Sequence, residues 1–255
     1  MPSLSVTVIT KNEAHNIEAC LRSVAFADEI IVLDSGSTDE TVRLAAVMGA
    51  KVSERSDWKG FGIQKNRALE LATSDWVLSI DADERVSSNL QAEIRAVIQA
   101  PAFSAYSIPR LSSYCGQYMR NSGWYPDRTT RLFHRQAACF SNDSVHEKIL
   151  ISGQVGRLDH QLTHESYLNF EAVLGKINLY STAGAQNLFY KKKSASLRSA
   201  IGHGMWAFVR TYFLHLGFLD GRLGLILAIS NAEGTYYRYL KLWLLHRDAV
   251  NKSPS

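Results

Sequence analysis

Four times in the first 100 residues a short strand-like run, in three cases mostly apolar or β-branched, gives way to a stretch with helical spacing, and nothing else restricts the fold as much. Ser5-Val6-Thr7-Val8-Ile9-Thr10 stops at Lys11-Asn12-Glu13 and is followed by Ile17, Cys20, Leu21 and Val24. Glu29-Ile30-Ile31-Val32-Leu33-Asp34 stops at Ser35-Gly36-Ser37-Thr38-Asp39, ahead of Val42, Leu44, Ala45 and Met48. Lys51-Val52-Ser53 is a shorter third run, with helix expected from Gln64 to Thr73. Trp76-Val77-Leu78-Ser79-Ile80 ends at Asp81-Ala82-Asp83, and Ser88 with Gln91 suggests a capping box for a helix through Ile94 and Ile98. Strands alternating with helices predict a doubly wound α/β fold with a mostly parallel sheet. Continuous apolar strands predict that both faces of that sheet are covered. Ligands of such sheets bind beyond the carboxyl ends of the strands. Asn12/Glu13, Asp34/Ser35 and Asp81/Asp83 all fall there.

Beyond about residue 104 the pattern changes to short strand-like pieces (Ala105 to Leu111, Thr130 to His134, Lys148 to Ser152) between Gly, Pro and Asn turns. From Asn169 onward the chain reads as helix. The expected organisation is an α/β domain over 1–165 in two parts, 1–104 and 105–165, followed by a helical region over 166–250. Cys20, Cys115 and Cys139 are odd in number and too far apart for a zinc ribbon or a Cys-x-x-Cys pair, which points to a reduced compartment. The first residues lack a basic leader and a long apolar core, and no uncharged apolar run is long enough to cross a bilayer. A cytoplasmic protein is expected.

Two carboxylates at alternate positions just past a buried strand, Asp81 and Asp83, can hold a hard divalent cation while leaving room for phosphate oxygens and water. Such a cation neutralises charge on a departing diphosphate. An Asp-x-Asp in a turn is by itself more often a solvated turn; the preceding strand raises its weight. Asp34 closes the second strand, where a carboxylate can accept from a ribose hydroxyl or a base edge. The turn after it carries no Gly-x-Gly-x-x-Gly loop, and its polar residues also serve as helix caps, a role expected of Asp39.

Val8-Ile9-Thr10-Lys11-Asn12-Glu13, Val32-Leu33-Asp34-Ser35-Gly36-Ser37-Thr38-Asp39 and Asp81-Ala82-Asp83-Glu84 occur in the order that resembles the signature of family 2 glycosyltransferases with the GT-A fold. Trp58-Lys59-Gly60-Phe61-Gly62-Ile63-Gln64-Lys65-Asn66-Arg67-Ala68 resembles the family's segment beside the nucleotide. Arg128-Thr129-Thr130-Arg131-Leu132-Phe133 and Val145-His146-Glu147-Lys148, with the helical tail, resemble the lipopolysaccharide core β-glucosyltransferases in particular. The resemblance implies a catalytic domain over 1–165, with a nucleotide-sugar half at 1–104 and an acceptor half at 105–165, in which Thr10, Asn12, Glu13, Asp34 and Ser35 contact the nucleoside and Lys65 approaches base or phosphate. It assigns Asp81 to ribose and metal and Asp83 to metal, the metal being Mg2+ or Mn2+. An inverting displacement needs one base for the acceptor hydroxyl. Asp127, Asp143 and Glu147 are candidates, and Glu147 is favoured because it occupies the family's His-Glu pair. Arg128 and Arg131 can bind diphosphate, although three apart on a strand they face opposite ways. His146, His160 and His164 do not match a zinc spacing; structural or acceptor-side roles are expected of His160 and His164, and His146 is kept as a phosphate or acceptor candidate. Trp124 is either core or a platform for a sugar ring.

The implied reaction moves one hexose, glucose from UDP-glucose, onto the inner core of lipopolysaccharide. The alternatives are another lipid-linked or polysaccharide acceptor, or a sugar nucleotidyltransferase, whose glycine-rich first loop is missing here. A Gln-x-x-Arg-Trp motif is absent, so a single addition is expected rather than a processive one.

Charge separates the two ends of the chain. Residues 1–189 carry 18 basic and 21 acidic side chains, whereas residues 190–247 carry 9 basic and 2 acidic. That basic stretch is rich in Trp, Tyr, Phe and Leu, with Trp206, Val209, Phe213 and Leu216 spaced as one helical face. Basic residues among aromatics suit a helix in the headgroup layer of an anionic inner membrane surface. A helical cap packed on protein is the competing interpretation. Nucleic acid is disfavoured by the net acidic first 189 residues.

Overall fold

The structure, a computed structural model, describes residues 2–141 and 148–252. In chain order it has β1 (Leu4–Thr10), α1 (Ile17–Ser23), β2 (Glu29–Asp34), α2 (Thr41–Val47), β3 (Lys51–Glu54), α3 (Phe61–Glu70) and β4 (Trp76–Asp81). β5 (Glu84–Val86), α4 (Ser88–Gln99), β6 (Ala105–Tyr114), β7 (Gln117–Tyr118) and β8 (Asp127–His134) follow. Then come β9 (Ala138–Phe140), β10 (Ile149–Ile151), β11 (Val155–Arg157) and β12 (Leu162–Tyr167). Three helices close the chain: α5 (Phe170–Tyr190), α6 (Leu197–Val209) and α7 (Gly221–Lys252).

The strands form one mixed sheet in the order β3-β2-β1-β4-β8-β6-β12-β5, with β7 and β11 also on β6, beside a small β9–β10 pair. β3, β2, β1 and β4 are parallel, as the βα alternation requires, and β8 joins β4 antiparallel. The continuous apolar strands are buried on both faces. Val6, Val8, Leu78 and Ile80 pack with Ile17 and Leu21 of α1 and with Leu90 and Ile94 of α4. Ile31, Val77 and Phe133 pack with Leu69, Ala72 and Phe140 on the opposite side.

The helix after Asp83 starts one residue earlier than the Ser88/Gln91 pattern suggests. Ser87 is extended and its hydroxyl accepts from the Leu90 N–H at 3.2 Å, so Ser87 is the cap and Ser88 the first helical residue. The third helix also begins and ends earlier than its apolar spacing implies, at Phe61 behind Gly60. The expected start of α5 is in place, with the Asn169 side chain accepting from the Ala172 N–H at 2.9 Å.

The chain divides into two compact units, Met1–Leu111 with Asp127–His164, and Ser112–Pro126 with Glu165–Ser255. Residues 112–126, placed with the acceptor half by sequence, belong to the unit that holds the helices. Tyr114 and Met119 share a small core with Val173 and Leu227 there. The buried Asp220 carboxylate accepts from the backbone N–H groups of Arg120 and Asn121 and from the Ser122 hydroxyl. Trp124 lies in the same unit, 5.7 Å edge-to-face from Tyr114 and 5.8 Å from Tyr167 between ring centres.

Candidate active site

Strand register brings the acidic clusters to one sheet edge. Thr10 pairs with Asp34 across β1 and β2, and Ile9 pairs with Asp81 across β1 and β4. Asp34 and Asp81 therefore flank β1 at its carboxyl end, about 10 Å apart by strand spacing.

The first two loops at that edge are stitched together. Asn12, in the left-handed region at φ 56°, donates its backbone N–H to the Ser37 hydroxyl at 2.8 Å. Its side-chain carbonyl accepts from the Thr38 N–H at 2.8 Å. The Glu13 N–H donates to the Thr41 hydroxyl at 2.8 Å, and its carboxylate accepts from Asn16 at 2.9 Å. Asp34 is fully buried, and its carboxylate accepts from the backbone N–H groups of Gly36 and Ser37 at 2.8 and 2.7 Å and from the Ser37 hydroxyl. Asp34 thus shapes its own turn, which needs Gly36 at φ 89°. Asp39 accepts from the N–H of Thr41, the first residue of α2, at 3.1 Å and from the Ala14 N–H at 3.1 Å. The Ser35 hydroxyl, also buried, accepts from the Gln64 amide at 3.0 Å.

Asp81 stands in a cluster of charges. Lys65 Nζ, nearly buried on α3, lies 3.3 Å from Asp81 Oδ1, and Arg131 Nη2, nearly buried on β8, donates to Asp81 Oδ2 at 2.6 Å. The same Arg131 nitrogen donates to Glu84 Oε1 at 2.7 Å. Glu84 is fully buried and its second oxygen accepts from the Asp81 N–H at 3.0 Å. Burial alone would push the pKa of Asp81 up, but Arg131 and Lys65 outweigh it and hold the carboxyl well below the usual carboxylate range. Burial would likewise weaken the hold of Arg131 on its proton, and Asp81 with Glu84 reverse that effect, so it stays charged. Arg110 extends the cluster. It reaches Glu84 at 3.4 Å and donates from Nε to Asp127 at 3.0 Å. On the other side, His164 Nε2 lies 3.2 Å from Asp83 Oδ2.

Of the residues singled out by sequence, Lys65, Asp81 and Arg131 are brought into direct contact. Asp83 is two residues away on the same turn, and Thr10 and Asp34 lie at the neighbouring strand ends. Arg128 is separate: it is exposed and donates to the Leu158 carbonyl at 2.9 Å. Asp127 is tied to Arg110. Asp143, His146 and Glu147 lie outside the described residues. Glu84, Arg110 and the His164 contact escaped the sequence reading. Glu84 was signalled by its place directly behind Asp83, whereas Arg110 and His164 come from strands distant in sequence and had no local signal. His160 binds Glu93 at 3.0 Å instead.

Two buried polar atoms at this edge have no hydrogen-bond partner among the described residues, the Thr10 hydroxyl and Arg131 Nε. Orphaned buried groups cost about 1–3 kcal/mol each, which a ligand atom can offset. Among the described residues no three His, Cys, Asp or Glu side chains are placed to hold a metal together. Asp81 and Asp83 fit the sparser mode, in which one or two carboxylates share a small hard cation with substrate phosphates and water. Their side chains are 32% and 27% exposed, so both are open to such a ligand.

A family model described as "Glycosyl transferase family 2" matches residues 5–150. An uncharacterized glycosyltransferase of Rickettsia prowazekii (strain Madrid E) is 31% identical over 95% of this chain and 87% of its own length. The lipopolysaccharide core biosynthesis glycosyltransferase LpsC of Rhizobium meliloti (strain 1021) is 28% identical over 92% of this chain and 93% of its own. Among solved structures, S. aureus TarS 1-349 superposes with a TM-score of 0.50 at 14% identity, covering 97% of this chain and 92% of that one. That likeness concerns the fold, and it agrees with the α/β architecture expected from the alternating runs.

Proposed function

Since this chain belongs to glycosyl transferase family 2, we propose that it moves one hexose, glucose from UDP-glucose, onto the inner core of lipopolysaccharide with inversion at the anomeric carbon. The observation that carries the transfer chemistry is the meeting of Asp81 with Lys65 and Arg131 at the carboxyl end of β4, two residues before Asp83. The lipopolysaccharide acceptor is supported by the similarity to LpsC over nearly the whole of both chains.

In this mechanism the stitched loops carrying Thr10, Asn12, Glu13, Asp34 and Ser35 receive the nucleoside. The unpartnered Thr10 hydroxyl is available to it. Lys65 and Arg131, fixed by Asp81 and Glu84, present positive charge where the diphosphate departs, and Arg131 Nε is an unused donor there. Asp81 and Asp83 would hold Mg2+ or Mn2+, which supplies Lewis-acid neutralisation of the leaving diphosphate when bound. His164 orients the Asp83 carboxylate. Glu147 takes the proton of the acceptor hydroxyl, and that hydroxyl then attacks the face of the sugar opposite the diphosphate.

Nucleotide sugars screened by thermal unfolding, with and without Mn2+ or Mg2+, test the site. UDP-glucose near 100 times its dissociation constant should stabilise by about 2.7 kcal/mol, or roughly 5–10 °C for a chain of this size. If no nucleotide raises Tm with metal present, the site assignment fails. Transfer of labelled glucose to core lipopolysaccharide, compared with other lipid-linked saccharides, tests the acceptor.

A further inference from the structure

The helical unit carries an apolar surface that its own packing does not use. On α6 the buried positions Ala200, Gly204 and Ala207, continued by Thr211, form one stripe of small residues. A Cβ on Gly204 would lie 3.1 Å from Tyr236 and 3.3 Å from the Ala232 carbonyl, so this stripe is where α7 packs closely. The opposite face should be polar in a helix that meets water. Here it presents Met205, Trp206, Val209 and Phe213, from 36% to 66% exposed.

That face runs into a built bend. After α6 the chain makes a π turn at Arg210–Leu214, a reversal at Leu216, and a 3-10 turn at Gly217–Asp220. A Cβ on Gly217 would lie 2.7 Å from the Thr211 carbonyl, and one on Gly224 would collide with the Gly217 carbonyl, so the bend is tightly packed inside. Outside it exposes Leu214, Leu216, Phe218 and Leu219. Leu216 adopts φ 55°, a conformation that favours glycine, and its side chain is nevertheless large, apolar and 46% exposed. Folding alone does not ask for leucine there. Arg210 and Arg222, both exposed, bracket the bend, within a region of nine basic and two acidic side chains.

We propose that the bend between α6 and α7 is a membrane-insertion element for an anionic phospholipid surface. Phe213, Leu214, Leu216, Phe218 and Leu219 enter the boundary between headgroups and acyl chains, and Trp206 lies along it. Arg210 and Arg222 reach lipid phosphates and limit the depth. Among the described residues no single helix is long and apolar enough to cross a membrane. The two helical segments on either side, bent by 72°, reach the length and apolarity of a span only together. Insertion of the bend needs no crossing. Membrane insertion of the bend involves neither donor nor acceptor and is separable from sugar transfer.

Flotation of the full chain with phosphatidylethanolamine/phosphatidylglycerol vesicles tests it. The chain should float with anionic vesicles and lose binding as salt rises. Leu216→Gly should hold or raise Tm while weakening vesicle binding about tenfold, the partition value of one large apolar side chain. A merely structural role for Leu216 would not separate those two readouts. Arg210→Gln with Arg222→Gln should weaken binding about fivefold per charge on anionic vesicles and leave phosphatidylcholine vesicles unaffected. A wild-type chain that stays in the aqueous fraction at low salt overturns the proposal. So does a dimer in sedimentation that Phe213→Asp dissociates without any lipid binding, because a second copy would then be what covers this face.

Discussion

Arg131→Met removes the side chain that, among the described residues, joins Asp81 to Glu84. Its Nη2 makes charge-assisted bonds of 2.6 Å to Asp81 and 2.7 Å to Glu84, and such bonds contribute about 1.5–3 kcal/mol each. The partners fare differently once it is gone. Asp81 keeps Lys65 at 3.3 Å and partial access to water. Glu84 has no exposure and keeps, among the described residues, the longer Arg110 contact at 3.4 Å and the Asp81 N–H. Removing one partner of a buried pair costs about 3–5 kcal/mol because a charge is left without compensation. At about 2–4 °C per kcal/mol for a chain of this size, Tm should fall by roughly 6–20 °C. Adding Glu84→Gln to Arg131→Met should recover part of the loss, which thermal and urea unfolding of the four proteins in the cycle would read. The pH dependence follows from Asp81, whose carboxyl is held below its ordinary pKa in the fold. Its contribution is present above about pH 4, where the unfolded carboxyl ionises, and is lost as pH falls through the lower folded value. The gap between wild type and Arg131→Met should therefore be full at neutral pH and narrow only in strong acid. A gap under about 2 °C at pH 7, or strictly additive single and double variants, would refute the coupling.

Three further outcomes are expected. Asp83→Ala should abolish metal-dependent turnover while moving Tm little, since the side chain has one ion-pair partner, His164, among the described residues; metal-dependent transfer at the wild-type rate would remove Asp83 from the site. Glu147→Gln should retain UDP binding by thermal shift and stop transfer, and normal turnover would place the base elsewhere. Glu29→Gln should destabilise by up to about 3 kcal/mol at pH 7. Burial would raise the Glu29 carboxyl, but bonds from Lys51, Ser5 and Thr73 lower it to about 2. The contribution is thus present above pH 4.5 and lost between pH 4.5 and 2, and a deficit equally large at pH 2 would contradict that assignment.

The sheet was legible because its information is local. A buried parallel strand is near-continuously apolar, so Val6 to Ile9, Ile30 to Leu33 and Trp76 to Ile80 announce themselves, and the polar residues that stop them mark the carboxyl edge where such sheets take their ligands. Register then does the remaining work, setting Thr10 beside Asp34 and Ile9 beside Asp81. The partners of the acidic cluster are not local. Arg110 and His164 arrive on strands whose pairing no short pattern specifies, and His164 sits opposite Glu84 only through the antiparallel match of β12 with β5. Arg131 stood out as a base on a strand, but its engagement by two carboxylates depends on burial that a sequence does not display. The helical tail shows a similar limit. Its apolar spacing reads as one face from Trp206 to Leu216, whereas the helix ends at Val209 and Leu216 lies beyond a reversal of the chain.

The charges around Asp81 also explain how one cluster can serve folding and chemistry at once. Asp81, Glu84 and Asp127 face Lys65, Arg131 and Arg110, and Asp83 faces His164. An edge so nearly neutral offers a divalent cation much less than two bare carboxylates would. On the proposed function a nucleoside diphosphate changes that balance: its oxygens would draw on Lys65 and Arg131 and leave Asp81 freer to share a cation. On the proposed function, metal and donor should consequently bind with mutual reinforcement, each raising the affinity of the other by the same factor. Titrating Mn2+ with and without UDP measures that factor directly. Equal Mn2+ affinities in the two titrations would mean that Lys65 and Arg131 hold Asp81 for stability alone.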